Sequence, residues 1–300
     1  MFKIIKKPLK KILNILAQTK FSGVLAFLWA ILTWIEYFLL QIKWAFSAKR
    51  KPTMEETQHL REQCTIVFKS FERQRMAKRL YKNIQKYYPG IKVIIADDSR
   101  EPLHLQGKNL QVLNLPFNSG LSYGLNRALE KVTTEYVIRM DEDELLTPFT
   151  RFEKQLEFLH VHPEVDLVGI LPFNIPILKS MNEAAEEYYK QPMGYAPKPL
   201  KIPHMTKVDD THCVLGKVPN IFIARTDKVK EVGYDDNIRM IDHNEFFYRA
   251  AGNLVAALDT SCFVMHYHNR YDMNYQRYRR DILGDKMYIY EKMRKAKEDV

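Results

Sequence analysis

The chain has 300 residues, of which 46% are hydrophobic and 27% charged, which excludes wholesale disorder and collagen-like or low-complexity architecture. Three widely spaced cysteines, Cys64, Cys213 and Cys262, exclude a disulfide scaffold and a Cys-x-x-Cys zinc ribbon. The net charge of +10 is uneven: residues 1–51 carry +9 and residues 52–300 only +1, so a body that tracks a nucleic-acid backbone is not expected.

The chain opens on a basic arm. In residues 2–20, Leu9, Ile12, Leu13 and Leu16 share one helical face, and Lys3, Lys6, Lys7, Lys10 and Lys11 supply charge. This pattern fits a helix lying on an anionic membrane. Residues 21–42 follow as an apolar run with one acid, Glu36, long enough to span a bilayer. Three readings compete: a transmembrane helix, for which Glu36 is costly; an interfacial helix or hairpin with Trp29, Trp34, Tyr37 and Trp44 at headgroup level; and a buried core or oligomer helix. Residues 1–52 are accordingly set apart as a membrane-attachment region, closed by the basic boundary Lys49-Arg50-Lys51-Pro52.

Beyond the boundary, strand and helix patterns alternate. Strands are expected at 64–68, 91–96, 110–115, 135–140 and 165–170, with helices at 73–87, 121–132 and 149–160 between them. This rhythm predicts an α/β fold with a mostly parallel sheet, flanked by helices, with ligands at the carboxyl ends of its strands. Residues 172–217 hold six prolines and read as a functional loop region. A strand is expected at 218–224, a helix at 242–251 and a strand at 262–268. The organisation drawn from this is a donor half at about 64–171, an acceptor half at about 172–270 and a helical tail at 271–300.

The chemistry gathers at strand ends. Asp141 and Asp143 flank Glu142 after an apolar strand. If the backbone stays extended there, both aspartates point to one side and offer oxygen ligands to Mg²⁺ or Mn²⁺. The bland alternative is a solvated acidic turn. Asp97-Asp98 also ends a strand and reads either as a nucleobase or ribose acceptor or as an Asx-turn before Ser99. His266 alternates with His268, and either adds an imidazole ligand or is structural. Asp242, His243 and Glu245 open a helix and read as general-base candidates or as a capping box.

Taken in order, these segments resemble family 2-type GT-A glycosyltransferases. The likeness is carried by TIVFKSFERQRMAKRLYKNIQKYYPGIKVIIADDS and by LPFNSGLSYGLNRALEKVTTEYVIRMDEDELLTP. KVIIADDS, VTTEYV, FIARTDKVKEVG and HNEFF resemble in particular the N-acetylgalactosaminyltransferases of ganglioside-synthesis type. The resemblance covers about residues 64–268. It implies a GT-A, Rossmann-like fold and inverting, metal-dependent sugar transfer from a nucleotide-sugar, UDP-linked by analogy, to an acceptor hydroxyl on a glycan or glycolipid.

The resemblance also implies roles. Phe71 lies near the base, Asp97 bonds the uracil, Asp141 sits by the ribose, and Asp143 binds Mn²⁺ or Mg²⁺ with His266 completing the metal site. Lys69, Ser70, Asp98, Asn118, Gly120, Asn126, Arg127 and Glu142 fall in the matched donor-binding segments. His243 stands at the usual position of the catalytic base, so Asp242 and Glu245 remain alternatives. Leu125 stands where relatives often carry arginine, and Arg127 is the nearest substitute. Tyr271, Tyr275 and Tyr278 are candidates for stacking on sugar, or for packing a terminal helix. A non-catalytic, membrane-bound scaffold of the same fold is the alternative reading. The expected location is the cytoplasmic face of a bacterial inner membrane, with a Golgi type II arrangement as the alternative.

Overall fold

The computed structural model describes residues 15–16, 19, 21–46, 52–176, 181–190, 198–267, 269, 271–279 and 282–298. Nearly all of the basic arm, the Lys49–Lys51 boundary and His268 lie outside the described residues.

The first described element is the long helix α1 (Ser22–Ala45). The short helix α2 (Gln58–Gln63) then leads into β1 (Cys64–Ser70). Helix α3 (Gln74–Tyr87), strands β2 (Lys92–Asp97) and β3 (Leu110–Asn114), helix α4 (Leu121–Lys131) and strand β4 (Tyr136–Asp141) complete the first half. Next come β5 (Glu144–Leu146), α5 (Phe152–Val161), β6 (Leu167–Ile175), α6 (Met181–Tyr189), β7 (His212–Val214) and β8 (Phe222–Arg225). The chain ends with α7 (Thr226–Val232), α8 (Asp242–Ala250), β9 (Ala256–Tyr267), α9 (Met273–Gln276), a 3₁₀ turn (Arg277–Arg279) and α10 (Ile282–Glu298).

The strands form one sheet in the order β3-β2-β1-β4-β8-β6-β9-β5, with β7 also on β9. Strands β3, β2, β1 and β4 run parallel, as expected. The other half is mixed: β8 is antiparallel to both neighbours, β6 and β9 are parallel, and β5 and β7 run antiparallel to β9. The sheet is therefore less parallel than the βα rhythm suggested. Apolar side chains are buried on both faces, in two clusters. That explains why the central strands read as continuous hydrophobic runs.

Three expected elements differ. Strand β6 runs on through Pro172 to Ile175, inside the stretch read as loop. Beyond Gly169 it pairs with β9 but not β8, so Pro172 stands where no ladder donor is required on that side. Strand β8 starts only at Phe222, because the Val218 and Asn220 carbonyls accept from His243 and Arg139 instead. Strand β9 begins six residues early, at Ala256. Its polar Asp259-Thr260-Ser261 stretch hid it, and the register against β6 shifts there.

Helix α1 docks along one stripe. Thr33, Leu40 and Trp44 are buried, and Tyr37 meets Tyr267 at 5.7 Å between ring centroids. Trp44 packs against the stacked pair Phe149 and Phe263, at 6.0 and 6.4 Å between ring centroids, and Trp29 meets Tyr271 edge-on at 5.2 Å. The headgroup position expected for Trp44 is thus corrected: its spacing from Thr33, Tyr37 and Leu40 puts it on the docking stripe. The opposite face, including Phe27, Ile31, Trp34, Ile35 and Phe38, is exposed. By length and composition α1 could cross a membrane.

Candidate functional site

Parallel register brings the key strand ends together. Ser70 pairs with Asp97 across β1 and β2, and Lys69 pairs with Asp141 across β1 and β4. Above these ends lies a cavity of about 410 Å³. Its lining includes Lys69, Phe71, Asn118, Gly120, Asp141, Glu142, Asp143, Asp242, His243 and His266.

The chain turns at Glu142-Asp143 rather than staying extended, and this separates the two aspartates. Asp141 Oδ1 pairs with Arg139 Nη2 at 2.9 Å. Asp143 instead faces His266, with Oδ1 3.4 Å from Nε2, while Oδ2 pairs with Arg73 Nη1 at 3.1 Å. The turn is fixed because β5 starts at Glu144, directly opposite His266, and Tyr267 N–H donates to the Asp143 carbonyl at 2.8 Å. Burial works against the Asp143 carboxylate, but His266 and Arg73 overcome it and hold its pKa far below the usual range. Burial likewise opposes the His266 imidazolium, and Asp143 and the neighbouring acids still raise its pKa to about 9. Glu142 accepts from Arg73 Nε at 2.8 Å and from the Phe71 amide at 3.3 Å, and burial raises its pKa to about 7.

No group of three or more His, Cys, Asp and Glu among the described residues is arranged to hold an ion by itself. The Asp143–His266 pair nonetheless suits one cation. His266 Nδ1 lies 2.6 Å from Asn174 Oδ1 and must donate to it, which leaves Nε2 toward Asp143. A cation would displace the Nε2 proton, and the bond to Asn174 would then keep Nε2 as the ligating nitrogen, the usual outer-shell support of a ligating imidazole. Further ligands would have to come from a bound anion. Asp141 belongs to the cavity but not to this pair, which corrects its expected part in the metal site.

Two further groups, Asp242 and His243, line the cavity from the start of α8. Asp242 is 2% exposed, and its Oδ2 lacks a hydrogen-bond partner, 3.9 Å from Arg139 Nη2. Burial raises its pKa to about 6, against the pull of Arg139 and with help from Asp141. His243 Nε2 donates to the Val218 carbonyl at 2.6 Å, leaving Nδ1 as its acceptor. Burial lowers its pKa to about 4, so the ring is neutral. Glu245 is excluded from the cavity: its carboxylate is held by Arg249 at 2.5 and 2.8 Å and by Lys292 at 2.7 Å. The expected capping box is not formed, since α8 is capped at Ile241 without a side-chain bond. The tail supplies the support instead. The Asp285 carboxylate of α10 accepts from the amides of Arg239, Met240 and Ile241, the residues that lead into Asp242.

Other expected residues divide. The Lys69 ammonium is 2.5 Å from Asp98 Oδ1, and Asp98 Oδ2 accepts from the Gly120 amide at 3.1 Å. Asp98 thus shapes the wall without lining it. Gly120 has a φ of +111°, and a Cβ there would lie 3.3 Å from Arg239 Cα, so glycine is required. Asp97 is buried off the cavity, accepting from the Ser99 hydroxyl at 2.7 Å and the Leu103 amide at 2.8 Å. Its carboxylate is held by the loop that follows β2 and not offered to the cavity. Ser70 is buried behind the lining. Asn126 bonds Tyr234 and Asp236, and Arg127 pairs with Glu130 and Asp236, so neither reaches the cavity. Arg127 therefore does not replace the arginine that Leu125 lacks.

Arg73 and Arg239, which line the cavity, and the buried Arg139 beside it were missed from sequence. Arg139 did carry a signal, since a lone arginine in an apolar strand two residues before Asp141 shares its face. Arg73 had none beyond following a strand. Tyr275 stacks on Arg73 at 3.8 Å, and Tyr278 meets Phe71 edge-on at 5.0 Å and Phe117 at 6.3 Å. These two tyrosines close one side of the cavity, whereas Tyr271 packs on α1.

A mixed α/β sheet with acidic strand ends under a polar cavity is the GT-A arrangement. Staphylococcus aureus TarS residues 1–349 superimpose with a TM-score of 0.51 at 16% identity, covering 68% of this chain and 60% of that one. TarS 1–349 in complex with UDP-GlcNAc gives 0.51 at 14% identity, over 69% and 58% of the two chains. The chain belongs to glycosyl transferase family 2, whose family model matches residues 65–215. Human beta-1,4 N-acetylgalactosaminyltransferase 1 is 34% identical over 199 residues, 63% of this chain and 36% of the relative. Mouse beta-1,4 N-acetylgalactosaminyltransferase 2 is 31% identical over 209 residues, 69% of this chain and 40% of the relative. The chain thus spans well under half the length of these relatives.

Proposed function

We propose that this glycosyltransferase moves an N-acetylhexosamine or hexose from a UDP-sugar to an acceptor hydroxyl of a cell-surface glycan or glycolipid, with inversion. The observation that carries the reading is the convergence on one cavity of Asp143 with His266, of cationic Lys69, Arg73 and Arg239, and of Asp242 with an unpartnered carboxylate oxygen. The names of the relatives and of the TarS complex support the choice of sugar and nucleotide.

In this reading Phe71, Phe117 and Tyr278 receive the base, and Lys69, Arg73 and Arg239 offset the diphosphate charge. Asp143 and His266 would hold Mn²⁺ or Mg²⁺, which when bound helps neutralise the leaving diphosphate. Asp242 takes the acceptor proton. Its raised pKa gives a stronger base than His243 at neutral pH. The His243 ring, fixed through Val218, orients the acceptor side.

The enzyme is proposed to sit on a membrane through α1, whose apolar face is left exposed by the described residues. The three cysteines are buried and free, which fits a reducing compartment such as the bacterial cytoplasmic side. Measuring UDP release from UDP-N-acetylhexosamines with Mn²⁺ and candidate acceptors tests the function. Acceptor-dependent release is expected. Nucleotide-sugar binding with no turnover on any acceptor would instead support the scaffold reading.

A further inference from the structure

A second cavity, of about 240 Å³, lies between α1 and α3, behind the strand edge that carries Glu144 and His266. Arg79, Lys82 and Lys86 line it from α3, at the i, i+3, i+7 spacing of one helical face. No acidic residue lines it among the described residues. The Arg79 guanidinium stacks on Tyr267 at 4.0 Å, and its Nε and Nη2 are shielded from water with no hydrogen-bond partner among the described residues. Shielded charged donors without an acceptor are costly, and a turn of the Arg79 side chain toward an anion in the pocket would satisfy both. Lys82 and Lys86 are exposed at the rim, and neither has an acidic partner among the described residues. Trp34, 72% exposed, stands at the mouth. From it the uncovered apolar face of α1 continues through Ile31, Ile35 and Phe38.

A cationic pocket joined to an apolar strip matches a lipid, with acyl chains along the strip and an anionic headgroup in the pocket. We propose that this pocket binds the phosphate headgroup of a membrane lipid, gripped by Arg79 and the two lysines. The inference rests on the membrane reading of α1 but adds a discrete site to it. It places a lipid phosphate directly behind the strands that line the catalytic cavity.

The test is partition of the full chain onto vesicles of phosphatidylcholine alone and of phosphatidylcholine with phosphatidic acid. Wild-type chain is expected on both, and more tightly on the second. Lys82→Ala/Lys86→Ala should weaken binding to the phosphatidic acid vesicles about 30-fold, about fivefold for each lysine, with neutral-vesicle binding unchanged. Both lysines are exposed, so the fold should persist. Arg79→Lys keeps the charge but loses the planar fork, and should cost about tenfold on the same vesicles. Wild-type affinity in Arg79→Lys would mean diffuse attraction, as from the basic arm, and would overturn the site. So would displacement of the lipid by soluble glycerol phosphate at equal affinity, which would assign the pocket to a free phosphate ester. Absence of binding to either vesicle, with α1 burying its face in a dimer, would overturn the membrane reading as well.

Discussion

Replacing Asp242 with asparagine should make the protein more stable and less active. Asp242 is buried, its Oδ2 makes no hydrogen bond, and Arg139 stands off at 3.9 Å. Asparagine is nearly the same size and leaves the Arg139–Asp141 pair at 2.9 Å intact. The folded carboxyl has a pKa raised to about 6, against an ordinary value of 3.8. The folded state therefore binds this proton more tightly than the unfolded chain does. Stability from the group is fully present below the unfolded pKa and is lost as pH rises through about 6. At neutral pH the charged form costs the fold about 3 kcal/mol, at 1.36 kcal/mol per pH unit. Asp242→Asn removes that cost. Denaturant unfolding should show a gain approaching this figure at pH 7.5 and little gain at pH 4. The same variant removes the proposed base, so turnover should fall about 10²- to 10⁴-fold with nucleotide affinity retained. The wild-type rate should decline as pH falls through about 6. A variant that is less stable at pH 7.5, or that keeps turnover within about threefold of wild type, would refute the reasoning.

Glu245→Gln should act in the opposite sense, losing about 3 kcal/mol in chemical unfolding because Arg249 and Lys292 lose a buried counter-charge. Its turnover per folded molecule should stay near wild type, as measured by UDP release. Trp44→Ala should cost about 3–5 kcal/mol in detergent-solubilised chain, since the buried ring packs against the stacked Phe149 and Phe263. A negligible change there would mean that α1 does not dock on the body. Asn174→Ala should weaken Mn²⁺ dependence about tenfold by releasing His266 Nδ1, read as a shift in the Mn²⁺ activation curve.

The first half of the sheet was legible from sequence because its physics is local. The apolar runs at Cys64–Ser70, Lys92–Asp97 and Tyr136–Asp141 are central strands buried on both faces, and their pattern announces both strand and burial. Parallel register then requires their acidic ends to meet. The second half was harder, because its order comes from long-range partners. Strand β9 is interrupted by Asp259, which bonds Ser261 and Gln155, and Pro172 sits in a strand only because that edge is open. Within the site, residue type alone misassigned the aspartates. Whether a carboxylate faces the cavity depends on its partners: Asp97 is taken by Ser99 and Leu103, and Glu245 by two cations from α8 and α10. Arg73 shows the converse. Its role follows from the turn at Glu142-Asp143, some seventy residues away, which no local pattern around Arg73 encodes.

The central claim is that Asp143 and His266 hold a divalent cation beneath the diphosphate of a nucleotide-sugar. Calorimetric titration of UDP into wild type and Asp143→Asn, each with Mn²⁺ and with chelator, measures it directly. Wild type should bind UDP more tightly with Mn²⁺ than with chelator, and Asp143→Asn should bind equally in both. Undiminished tightening by Mn²⁺ in Asp143→Asn would contradict the account.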